Sequence, residues 1–75
     1  MHDGGLLATV RELERERGEP PTATAVAAAV GVPEAYSEFI ERRLELNERE
    51  GLVERDGAGC WRLTASGATE AAPPL

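Results

Sequence analysis

Four breaks of glycine and proline divide the chain and leave little freedom in where regular structure can run. They are Gly18 with Pro20-Pro21, Gly31 with Pro33, Gly51 alone, and the run Asp56-Gly57-Ala58-Gly59. Proline lacks the backbone donor that continues a helix, and glycine takes the positive φ that ends one. The intervals between these breaks suit single helices or short strands.

Before the first break, Leu6, Leu7, Val10 and Leu13 fall on one face at helical spacing, with Arg11, Glu12, Glu14, Arg15, Glu16 and Arg17 filling a solvated face. Between the first and second, "TATAVAAAVG" predicts a short helix capped by Thr22 or Thr24. Val26 and Val30 lie four apart and should point inward, and the alanines allow a neighbouring helix to approach closely.

From Pro33 to Glu50 the sequence predicts the longest helix, with Pro33 at its first position and Glu34 against its positive N-terminus. Tyr36, Phe39, Ile40, Leu44 and Leu46 share a broad apolar stripe. Arg43 and Asn47 fall inside that stripe. They need partners, lie beyond the core, or mark a bend.

After Gly51, "LVER" and "CWRLT" alternate as short strands around the turn chemistry of "DGAG", which predicts a β-hairpin with Trp61 and Leu63 on one side and Cys60, Arg62 and Thr64 on the other. The segment "ASGATEAAPPL" has only small residues before its prolines. It reads as a tail with at most one helical turn at its start.

The length of 75 residues allows one small core, built mainly from Leu, Val, Ile and Ala because Tyr36, Phe39 and Trp61 are the only aromatics. Cys60 is the single cysteine, which rules out an internal disulfide. No apolar run approaches the length of a membrane span, and "MHDGGLLATV" lacks the basic region and long apolar stretch of a signal peptide, so a cytosolic location is expected.

Taken in order, these fragments carry a resemblance. "TATAVAAAVGVP" looks like the helix-turn half of a helix-turn-helix, with Ala27 at the close crossing, Gly31 at the turn, and Val32 and Ile40 as inward anchors. "EGLVERDGAGCWRLTASG" resembles the third-helix end and wing of winged helix-turn-helix regulators of the MarR- and ArsR-like kind, including small haloarchaeal ones. All eight basic residues are Arg, which fits a GC-rich genome. The resemblance implies an α+β, mostly helical fold of three helices plus a C-terminal hairpin wing, with the domain over residues 5–67 and a flexible tail over 68–75. There are two departures. Gly31 and Gly51 lie 20 apart, about three residues more than the family's pattern. Asn47 stands where the family usually has a core Leu.

By that resemblance the function expected is a small DNA-binding transcriptional regulator, bound to double-stranded DNA as a homodimer. The third helix (about 33–50) would enter the major groove, and the wing (52–64) would touch the backbone. Ser37 and Arg42 would lie near bases, and Arg43 or Arg49, with the wing's Arg55 and Arg62, near phosphates. Charge argues the other way. The net charge is −6, and between Glu34 and Glu50 six Glu face three Arg, a local sum of −3. Glu38, Glu41 and Glu45 form an outward acidic strip that phosphates would repel at low salt. The alternative is a winged-helix protein-interaction module that docks a basic partner protein on its acidic third helix.

Catalysis has little support. His2 is the sole histidine, Cys60 has no histidine near it in sequence, no His/Cys set has metal-ligand spacing, and no Gly-rich loop precedes a helix in phosphate-binding form. No enzymatic activity, metal or cofactor is expected.

Overall fold

A computed structural model describes residues 4–71. The fold is α+β and mostly helical: α1 (Gly4–Arg17), α2 (Ala23–Ala29), a 3-10 turn (Glu34–Tyr36), α3 (Ser37–Arg49), β1 (Val53–Arg55), β2 (Trp61–Leu63) and α4 (Ala65–Ala71). Among the described residues, no helix is long and apolar enough to cross a membrane.

α1 buries Leu7, Val10 and Leu13 and ends at Gly18, whose φ is 73°. α2 is capped by Thr22, whose hydroxyl accepts from Ala25 N at 3.1 Å. It buries Val26 and Ala27. Val30 is a correction to the sequence reading. It lies after the last helical residue and is 40% exposed, because the chain turns there instead of completing the row begun by Val26.

α2 and α3 end alike. After α2, Gly31 N reaches Ala28 O and Val32 N reaches Ala27 O; after α3, Gly51 N reaches Glu48 O and Leu52 N reaches Asn47 O. Both glycines have φ near 80° (80° and 78°), which a side chain would resist. This paired Schellman arrangement satisfies the last carbonyls of each helix and turns the chain sharply out of it.

The segment expected as one helix from Pro33 is divided. Pro33 is extended, the 3-10 turn takes three residues, and the α-helix starts only at Ser37. The buried residues of α3 are Ile40, Leu44 and Asn47. The broad stripe predicted from the wheel is therefore narrower and rotated. Tyr36 (63%), Phe39 (50%) and Leu46 (45%) are largely exposed. α3 packs on α2 and β1 along one side only, and those neighbours cover the Ile40–Asn47 row but not its flank. Asn47, an intruder by pattern, is a core residue. Its Nδ2 donates to Arg43 O at 2.8 Å, one turn back, which draws that amide into the helix backbone.

β1 and β2 pair antiparallel, with Val53 opposite Leu63, Glu54 opposite Arg62 and Arg55 opposite Trp61. The turn is closed by Asp56, whose carboxylate accepts from Ala58 N and Cys60 N, both at 2.9 Å. Trp61 N donates to Pro21 O at 2.8 Å, so the segment before α2 lies along the outer edge of β2. The core joins Leu7, Val10, Leu13, Val26, Ala27, Ile40, Leu44, Val53, Trp61 and Ala71.

The C-terminal segment departs most from the sequence reading. α4 continues through residues 68–71, packs on α1, and buries Gly67 and Ala71. Thr64 starts it: its hydroxyl accepts from Gly67 N at 3.0 Å and donates to Gly51 O. Gly67 lies so close to Leu52 that a Cβ there would sit 1.7 Å from the Leu52 carbonyl oxygen. Small residues are what this contact requires, and small residues made the segment read as a tail. The rest of that tail, residues 72–75, lies outside the described residues.

Candidate nucleic-acid interface

The six residues expected to meet DNA are distributed unevenly. Ser37 is half-buried at the start of α3. Five residues separate it from Arg42, which rotates the two apart by about 140° on the helix. Arg43 is also half-buried, on the inner flank beside Asn47. Neither shares the outward row of Arg42 and Arg49. Those two lie seven residues apart, about two helical turns, and both are exposed.

Arg42 pairs with Glu38 at 3.4 Å, with both side chains about three-quarters exposed (73% and 77%). Arg49 makes no ion pair among the described residues. Arg55, near the tip of β1, turns back on α3. It reaches Glu45 at 3.3 Å and Glu41 at 3.7 Å, and its guanidinium lies 4.3 Å from the centroid of the Trp61 ring. Glu41 and Glu45 are one turn apart, so their carboxylates converge on one point. Trp61 is fully buried and fixed by its place in β2.

Arg62 does not join Arg55. Adjacent register positions place them on opposite faces of the hairpin. Arg62 instead meets Glu54 across the strands at 4.0 Å and Glu14 of α1 at 3.9 Å. The two wing arginines therefore point to opposite faces of the hairpin. One leans on α3 and the other on α1.

The exposed side of α3 with its wing neighbour holds Glu38, Glu41, Glu45 and Glu48 against Arg42, Arg49 and Arg55, four negative charges against three positive. The acidic strip is thus partly neutralised locally, and one of the three compensating charges comes from the hairpin. Sequence reasoning missed the Arg55–Glu41–Glu45–Trp61 cluster. Its members lie up to 20 residues apart (61 − 41) and share no local pattern. Among the described residues, no three His, Cys, Asp or Glu side chains converge on a possible metal position.

No protein-family model matches this chain, and no curated protein matches it.

Proposed function

We propose that this chain is a winged helix-turn-helix domain and acts as a small DNA-binding transcriptional regulator. The observation that carries the reading is one unit: α2, a tight glycine turn, α3, and a hairpin held beside α3, with Arg42 and Arg49 in one outward row and Arg55 at the wing. The bond from Trp61 N to Pro21 O adds an edge segment to the hairpin. The three-residue 3-10 turn takes up the extra length between Gly31 and Gly51 before α3 begins.

In this reading α3 enters the major groove. Arg42 lies near base edges, where an arginine donates to guanine O6 and N7, while Arg49 and the wing lie near phosphates. The domain is 32 Å in its longest dimension, close to one turn of duplex, so one copy fits one half-site and a homodimer would span two.

A second reading is favoured by one observation. Tyr36, Phe39 and Leu46 are exposed beside the Glu38–Arg42 pair. A helix face that mixes aromatic, aliphatic and acidic groups suits docking of a basic partner protein.

Titration with random-sequence duplex DNA, followed by amide NMR shifts at low and high salt, separates the two. Under the DNA reading, shifts cluster on 38–49 and on the wing, and affinity falls with salt. Arg42→Glu then weakens binding at least tenfold, as expected when one phosphate-facing or base-facing cation becomes an anion. Unchanged DNA affinity in Arg42→Glu would remove α3 from the interface. A wild-type spectrum unmoved by DNA in either salt favours the protein-docking reading.

A further inference from the structure

We infer that Glu41 and Glu45 act as an internal competitor for phosphate: they hold the wing's Arg55 away from DNA and so determine how readily the domain binds duplex without sequence preference. The inference rests on the DNA-binding reading above and assigns these two glutamates a role in its specificity.

The three exposed cations of this face differ in how they are held. Arg49 has no ion pair among the described residues, and Arg42 has a single contact with its own helix, between two highly exposed side chains. Such a contact is easily given up to solvent or phosphate. Arg55 has three contacts: its Nη2 reaches Glu45 at 3.3 Å and Glu41 at 3.7 Å, and its Cζ lies 4.3 Å from the centroid of the Trp61 ring. Its side chain is 36% exposed, half the exposure of Arg42. One nitrogen of the guanidinium, Nη2, meets both carboxylates while Cζ lies over the ring, a planar stack that a lysine ammonium would not reproduce.

A phosphate beside the wing must therefore compete with two carboxylates for the charge of Arg55, and must replace both to gain Nη2. In a loose complex, where phosphates lie at varied positions, that exchange is unfavourable and Arg55 stays on α3. When α3 is seated in its groove, the wing is pressed against one fixed phosphate, and the exchange becomes possible. Arg55 is then a contact made chiefly in the seated complex, and Glu41 and Glu45 suppress the rest.

The test compares four proteins on random-sequence duplex across a salt series: wild type, Glu41→Gln/Glu45→Gln, Arg55→Gln, and the triple variant. Both glutamates are exposed, so the glutamine changes leave the fold in place, checked by thermal unfolding. The expected result is tighter non-specific binding by Glu41→Gln/Glu45→Gln, on the order of tenfold at low salt, with the log–log salt slope steeper by about 0.9, one phosphate contact. In the Arg55→Gln background the same glutamine changes should not steepen the slope. An equal gain in both backgrounds would mean that the glutamates only repel DNA, and would overturn the inference while leaving the DNA reading intact. A wild type and a double glutamine variant that both fail to bind at any salt would remove the DNA reading and the inference with it. One readout needs no DNA. The Arg55 Hδ resonances of the free protein should be shifted upfield by the Trp61 ring, and random-coil values there would also overturn the inference.

Discussion

The hairpin is held at its base and near its tip by different physics. At the base, the Gly67 backbone lies against the Leu52 carbonyl, and Thr64 bonds to both Gly51 O and Gly67 N while its own N–H meets Leu52 O. These are close, directional contacts with no room for an added atom. Near the tip, Arg55 reaches α3 through two partly exposed carboxylates and one ring face. The base contact is all-or-none, and the tip contact is graded and salt-dependent. The difference separates two tasks: the base closes the domain on its C-terminal helix, and the tip sets how the wing's charge is presented.

Three substitutions test that contrast. Gly67→Ala should have the largest effect. A Cβ 1.7 Å from a backbone oxygen cannot be accommodated by a rotamer change, so α4 must move off Leu52. A loss of about 3 kcal/mol or more is expected, read as a fall in thermal midpoint and loss of protection in α4 amides. A loss below about 1 kcal/mol would show that the base is as adaptable as the tip.

Arg55→Gln should cost about 1 kcal/mol or less, since partly exposed ion pairs and stacked cations contribute on that scale. Its distinguishing mark is salt. The difference from wild type in urea unfolding should shrink between low and high salt, because the carboxylate contacts are screened while the ring contact is not. A salt-independent difference would move the tip into the same class as the base.

Gly57→Ala should be nearly silent, within about 0.5 kcal/mol, and serves as the control for Gly67. Gly57 lies in the turn with nothing within 4 Å of an added Cβ, and its φ is not positive. A large effect there would mean that the loop geometry is strained in a way its contacts do not reveal.

Some of this was legible in the sequence. The stops at Gly18, Gly31 and Gly51 are where positive φ ends the three helices, and Asp56 to Gly59 form the hairpin turn. Thr22 caps α2, one of two candidates named. The inward side of α3 was only partly legible. Ile40 and Leu44 are buried, but Phe39 and Leu46 are not, and Asn47 replaces them in the core. Hydrophobic periodicity locates an apolar arc, but the part of that arc that is covered depends on which neighbours arrive. α4 gave almost no signal, because its burial uses Gly67 and Ala71, residues without the bulk that a periodicity reading detects.

The candidate interface divides in the same way. Arg42 and Arg49 belong to one outward row by helical spacing alone, and the acidic strip of Glu38, Glu41 and Glu45 is equally visible in the sequence. That Arg55 pairs with two of those glutamates while Arg62 turns to Glu14 is decided by tertiary structure. Helix ends, caps and turns are set by residues within about five positions of one another, so the sequence by itself determines them. Ion pairing between β1 and α3 spans 10 and 14 residues (55 − 45 and 55 − 41) and depends on the angle at which the hairpin leaves Gly51 and is closed by Gly67 on Leu52. Only the packed chain sets that angle, because it is the joint outcome of contacts that no single segment contains.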